Sequence, residues 1–187
     1  MIGLGNPGGE YANSRHNVGW MCLHELEGRG RFGRARREGK ARVREGVIEG
    51  YDVITARPQT YMNLSGTAAR ALTDRFGIPP REVIVLHDEV DLPFERIKLQ
   101  RGGSSAGQKG VKSLIASWGT SDFIRVRVGV SRPPEREGMV DYVLDPFSPE
   151  ERERLPEIVG RAADAVLDII RVGLDAAMGK HNTRINA

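Results

Sequence analysis

The first nineteen residues constrain this chain more than any other stretch. A short apolar run ends in Gly3-Leu4-Gly5-Asn6-Pro7-Gly8, and Ser14-Arg15-His16-Asn17-Val18-Gly19 follows. Glycine and proline at this density suit a sharp turn where backbone passes close to something else. The segment therefore reads as the end of a strand, a tight turn and a helix entry. Histidine accepts a proton near neutral pH. Placed between Arg15 and Asn17, just beyond an Asn-Pro-Gly turn, His16 suits an active-site rim better than a core. The ordinary alternative is a solvent-exposed histidine at a strand–turn–helix junction. A first strand normally has more residues before Gly3, so the start is expected to be truncated or misassigned.

The 187 residues fit one domain with a 39% hydrophobic content that can fill a core. The longest apolar runs, such as Val83-Ile84-Val85-Leu86, are too short to cross a bilayer. No signal-peptide pattern is present, and the single cysteine, Cys22, excludes an internal disulfide and a cysteine-based metal site. Cys22 lies in Trp20-Met21-Cys22-Leu23 and reads as a packing residue, and the inventory fits a reducing cytoplasm. The net charge is only +3, yet Arg29 to Arg44 holds eight Arg or Lys against one acid, Glu38. That segment is either a solvated strand-pair face or a contact for a polyanion.

Strand-like and helix-like stretches alternate, which indicates an α/β domain. A helix is expected over 18–27, then two strands within 41–57 turning at Glu49-Gly50. Ser65 is placed to cap a helix that runs to Phe76 and stops at Gly77 before Pro79-Pro80. Val83–Leu86 reads as a buried central strand, 95–99 as another short strand, and Phe123–Val130 as a further one. A flexible loop, Gly102–Gly107, leads to a helix ending near Gly119, and Pro133-Pro134 marks an exposed loop. Ser148-Pro149-Glu150-Glu151 carries a cap, a first-turn proline and a capping-box glutamate, opening an amphipathic helix.

Three further segments carry chemistry. Arg57–Gly66 joins a strand end to a helix start, where ligands of open α/β sheets collect. Within it Tyr61 and Met62 are either core or cleft residues, and Asn63 is either a cap or an amide donor. His87-Asp88-Glu89-Val90-Asp91 arrives as the buried strand ends. A carboxylate there can accept from one imidazole nitrogen and leave the other as base. Adjacent residues on an extended strand face opposite ways, which disfavours a metal site built from this segment. The glycine-rich loop continues into Gln108-Lys109-Gly110-Val111-Lys112-Ser113 and lacks the P-loop pattern, although its lysines and freed amides can hold phosphate.

These four segments, together with the ending Ala176-Ala177-Met178-Gly179-Lys180-His181-Asn182, resemble the bacterial peptidyl-tRNA hydrolase family over nearly the whole chain. The resemblance implies an esterase that releases peptide from the 3′ end of tRNA. It implies one α/β domain over residues 1–187, with a twisted, mixed, mostly parallel sheet flanked by helices on both faces. By motif match His16 is the general base and Asp88 orients it. Asn6 and Asn63 position the ester and its carbonyl, while Tyr11, Asn17, Tyr61 and Met62 line the cleft. Lys98 and Arg127 correspond to residues that bind tRNA phosphate. The resemblance further implies a cytoplasmic monomer with no metal, no other cofactor and no membrane association, with peptidyl-tRNA as its partner. No Gly-x-Ser-x-Gly elbow is present, so a covalent acyl-enzyme is not expected.

One departure stands out. The family pattern Gly-Gly-His-Asn-Gly is Ala106-Gly107-Gln108-Lys109-Gly110 here. Lysine cannot accept a hydrogen bond, so Lys109 cannot take over the asparagine's double role. Two readings follow: Lys109 turns to phosphate while Gln108 or loop backbone supplies the polar contact, or Lys109 is simply solvated. Two other functions compete with hydrolysis by His16: a non-hydrolytic RNA-binding relative of the same fold, and a metal-dependent hydrolase built on the His87 segment.

Overall fold

The computed structural model describes residues 1–133 and 138–182, so Pro134 of the expected exposed loop lies outside the described residues. One eight-stranded sheet organises the chain, in the order β2-β4-β5-β1-β6-β8-β7, with β3 paired to β4. The strands are β1 (Ile2–Gly3), β2 (Arg31–Phe32), β3 (Arg36–Glu38), β4 (Ala41–Ile48), β5 (Tyr51–Pro58), β6 (Ile84–Glu89), β7 (Ile97–Arg101) and β8 (Ile124–Gly129). The centre, β5-β1-β6-β8, is parallel, whereas β2, β3 and β4 on one side and β7 on the other pair antiparallel. The expected mixed α/β fold is therefore observed.

Alternation along the strands divides the core. Leu86, Val126, Val128, Ile97 and Leu99 face one side, packed with α1 (Val18–Gly28) and α5 (Pro149–Val172). Ile2, Leu4, Val83 and Val85 face the other, packed with α2 (Ser65–Phe76) and α3 (Lys109–Trp118). Two shorter helices, α4 (Met139–Leu144) and α6 (Leu174–His181), complete the described residues.

The opening glycines permit the close approach of α1 to the sheet. A methyl added at Gly3 would lie 2.5 Å from Gly19 O, and one at Gly19 would press on the backbone of Leu4 and Leu86. Helix and strand thus touch backbone to backbone, and the turn after β1 stays short. At the β4–β5 connection Glu49 and Gly50 have φ of 51° and 81°, the paired positive values of a two-residue hairpin turn. Cys22 is fully buried, and burial pushes its thiol up to about 12. Ser148 and Glu151 form the expected capping box of α5.

Three expectations need correction. Ser65 is the first residue of α2 rather than its cap. A 3₁₀ turn, Met62–Leu64, runs straight into the helix, and Ser113 Oγ accepts from Gly66 N, so no cap side chain is required there. The 95–99 strand begins at Ile97, because Glu95 takes a left-handed φ of 71° and closes a turn in which Arg96 N donates to Pro93 O. The Gly102–Gly107 loop is tied down: Arg125, 2% exposed, donates to Ser104 O at 2.8 Å and Gly102 O at 2.6 Å.

Candidate active site

At the carboxyl ends of β1 and β6 a cleft of about 510 Å³ opens. This is the crevice position that open α/β sheets use for ligands. His16 sits in a 3₁₀ turn, Arg15–Asn17, that passes directly into α1. Asp88 comes from the last turn-facing positions of β6 and is 2% exposed. His16 Nδ1 lies 2.8 Å from Asp88 Oδ2. Burial alone would push the Asp88 carboxyl up, but the His16 imidazole and the Gln108 amide outweigh it and hold the group below its usual value. The result is a buried carboxylate turned toward an imidazole at the cleft wall.

Asn6 is fixed by two contacts. Its Oδ1 accepts from Met62 N at 2.7 Å, which leaves the amide nitrogen as the end able to face the cleft. Its backbone is clasped by Asn17: Asn6 N donates to Asn17 Oδ1 at 2.7 Å and Asn17 Nδ2 donates to Asn6 O at 3.0 Å. Asn17 is thereby corrected from a cleft-lining to a supporting residue, since it is 1% exposed and both ends of its amide are used on Asn6. Tyr11, Tyr61, Met62, Asn63 and Lys109 all line the cleft with Asn6, His16 and Asp88. Met62 is also a core residue at 3% exposure, whereas Tyr61 stands out at 63%.

The segment that departs from the family pattern divides its labour. Gln108 caps α3 by accepting from Val111 N, and its nitrogen donates to Asp88 Oδ1 at 2.8 Å. Its amide is consumed inside the protein, so Gln108 is not the source of a polar contact to substrate. Lys109, the first residue of α3, is exposed at the rim.

Arg15 braces the His16 turn from behind. Its Nε and Nη2 reach Glu151 at 3.3 and 2.6 Å, its Nη1 donates to Tyr142 O at 3.1 Å, and its guanidinium lies 4.2 Å over the Tyr142 ring. Tyr142 belongs to α4, which supplies an apolar cleft wall through Met139, Val140, Val143 and Leu144. The sequence reading missed this wall. Its signal was present in Met139-Val140-Asp141-Tyr142-Val143-Leu144, apolar positions at helical spacing just ahead of the α5 cap.

Lys98 and Arg127 lie outside the cleft, directly opposite each other on β7 and β8. Lys98 is exposed and has no ion pair among the described residues. Arg127 is committed: it bonds buried Glu89 at 3.0 and 2.9 Å and Gln100 Oε1 at 2.7 Å. Arg125 shares its strand face but is spent on loop carbonyls, and Arg96 lies ahead of β7, donating to Asn182 O. His87 is wholly buried, with Nδ1 against Asp88 O, and burial drives it down to about 4. Among the described residues no His, Cys, Asp and Glu group has the makings of a metal site.

The basic Arg29–Arg44 stretch splits by strand face. Arg36 meets Glu45 and Glu38 on the α2 side, where Arg75 also meets Glu38. On the α1 side Arg37, Arg42 and Arg57 stand in register across β3, β4 and β5, and buried Glu27 ties down Arg57 and Arg44. Arg37 and Arg42 remain exposed.

The family model for peptidyl-tRNA hydrolase matches residues 1–187. A peptidyl-tRNA hydrolase of Nocardia farcinica is 45% identical over 182 residues, covering 96% of this chain and 94% of that protein. One of Chloroflexus aggregans is 42% identical over 183 residues, with 97% of both covered. The crystal structure of peptidyl-tRNA hydrolase from Acinetobacter baumannii superposes with a TM-score of 0.90 at 29% identity, covering 97% of this chain and 93% of that one. On sequence and on fold alike, the chain belongs to the peptidyl-tRNA hydrolase family.

Proposed function

We propose that this protein hydrolyses the ester joining a peptide to the 3′ end of tRNA, with His16 as the base. The observation that carries the reading is the buried His16–Asp88 contact of 2.8 Å, which opens onto the cleft beside Asn6. With Nδ1 turned to Asp88, Nε2 is the nitrogen available to water. It takes a proton as the water oxygen bonds to the ester carbonyl carbon. Charge then develops on the carbonyl oxygen, and the amide nitrogens of Asn6 and Asn63 are suited to stabilise it. Collapse of the tetrahedral intermediate breaks the bond to the ribose oxygen, which leaves with the proton from the imidazolium. A peptidyl ester of ribose is activated enough for a base and amide donors to suffice, with no metal.

Tyr11, Tyr61, Met62 and the α4 wall offer apolar surface to the peptide, and Lys109 and Lys98 offer charge to the nucleic acid. Arg127, opposite Lys98 on the next strand, serves indirectly by keeping buried Glu89 neutralised. In this reading the enzyme works as a cytoplasmic monomer.

The test is release of an N-blocked aminoacyl group from tRNA by purified protein, with and without a chelator. Folded His16→Ala protein should lose about 10²–10⁴-fold in rate and keep its tRNA affinity. Near-normal turnover by that variant would overturn the assignment. Binding of tRNA by the parent protein without any release would favour the non-hydrolytic reading.

A further inference from the structure

One group in this site has a fixed hydrogen-bonding sense: a backbone N–H can only donate. Val111 N lies 2.9 Å from Gln108 Oε1. The carboxamide oxygen must therefore face α3, and the NH₂ must face away from it. That nitrogen lies 2.8 Å from Asp88 Oδ1 and 3.5 Å from Met62 Sδ. Asp88 Oδ1 receives a hydrogen and acts as an acceptor, as an ionised carboxylate does. The Asp88 carboxyl is held below its usual value and so is ionised near neutral pH, which makes Oδ2 an acceptor as well, and its partner is His16 Nδ1 at 2.8 Å. Nδ1 carries the hydrogen, and Nε2 keeps its lone pair toward the cleft. A turned-over Gln108 amide would set NH₂ against the Val111 N–H, donor against donor.

We propose that Gln108 is a positioning residue for hydrolysis: held by the first turn of α3, it sets the direction of the chain from Val111 N–H through Asp88 and so fixes the tautomer of His16. This rests on His16 being the base. The amide does not titrate, so the setting is independent of pH. Other charged groups lie near but do not bond the Asp88 carboxylate. Asp91, Arg132, Lys109 and Tyr11 line the cleft, with Arg132 bonded to Asp91. His87 and Glu89 alternate to the opposite strand face; Glu89 borders the cleft but holds Arg127, and Arg15 is bound to Glu151. Among the described residues, His16 and Gln108 alone hydrogen-bond the Asp88 carboxylate.

Two variants test this. Gln108→Met keeps length and removes the donor. Its kcat should fall about tenfold, with KM for peptidyl-tRNA within about twofold. Gln108→Glu is nearly isosteric and donates only when protonated, so the ratio of its rate to the parent rate should climb as pH falls. A merely structural role would give a ratio flat with pH. Nitrogen-15 NMR of the imidazole needs no substrate: the parent should show the Nδ1–H tautomer of His16, and Gln108→Met a mixture. A parental tautomer in Gln108→Met, or a flat ratio in Gln108→Glu, would overturn the proposal and leave His16 as base untouched. Full activity in folded His16→Ala would instead sink the functional reading beneath it. If Gln108→Met fails to fold, the pH ratio and NMR spectrum of Gln108→Glu still decide.

Discussion

Gly19→Ala should damage catalysis far more than stability. The residue is the second of α1, just after the His16 turn. A methyl there would press on Leu86 O and sit 2.6 and 2.7 Å from the Leu4 backbone oxygen and nitrogen. A carbon needs about 3.3 Å to a carbonyl oxygen, so α1 must lift from the sheet by roughly 0.6 to 1 Å. Overpacking of this kind costs about 1–3 kcal/mol, and alanine returns about 1 kcal/mol of helix propensity over glycine. The net loss is about 1 kcal/mol, readable as a lowered urea midpoint at unchanged slope. The lift also carries His16 away from Asp88, which belongs to the sheet. A misplacement of about 1 Å can cost about 10²-fold in rate. Single-turnover release of an N-blocked aminoacyl group at saturating enzyme would measure it. Gly28→Ala is the control, because nothing lies within 4 Å of a carbon added there. A Gly19→Ala protein with parental kcat and a raised midpoint would refute the reasoning.

Asp88→Asn should lose about 10²-fold in kcat, less than His16→Ala, because the imidazole remains while its partner is no longer an anion. Because the carboxyl of Asp88 is held low in the folded state, its contribution to stability is full above about pH 4 and disappears as pH falls through the lowered value. Acid titration should accordingly show one less carboxylate in folded Asp88→Asn. Lys98→Ala should raise KM for full tRNA, spare short ester substrates and flatten the salt dependence of binding by about one phosphate contact. Arg127→Ala should instead destabilise by about 3–5 kcal/mol, since it strands buried Glu89, and a parental melting temperature would refute that. Lys109→Asn should weaken tRNA binding and flatten its salt slope. Unchanged affinity and slope would show the lysine to be merely solvated.

What the sequence made legible is what depends on local pattern. The Glu49-Gly50 hairpin, the α5 cap and the buried β6 strand that carries Asp88 near its end all follow from neighbouring residues. That His16, Asp88 and Asn6 would share one cleft was legible, because glycine-rich turns and strand ends are where such residues collect. The choice of partner was not. An arginine on a strand looks the same whether it meets phosphate, as expected of Arg127, or a buried glutamate 38 positions away, as observed. The same holds for Asn17, whose amide turned out to hold backbone rather than substrate. Helix α4 was harder to read: its apolar positions fall at helical spacing, but six residues are too few to separate a helix from a loop on that spacing alone.

The two oxygens of Glu151 have a further consequence. Oε2 accepts from Ser148 N and so closes the cap of the 24-residue helix α5, and both oxygens grip Arg15, the residue before His16. Fraying of that helix start releases the His16 turn, and displacement of the turn uncaps the helix. The amides of Arg15, Asn17 and Glu151 should therefore exchange with solvent as one cooperative unit. A substitution at Glu151 chosen for thermal stability would be paid for in turnover, and occupancy of the cleft should slow exchange at the distant end of the same contact.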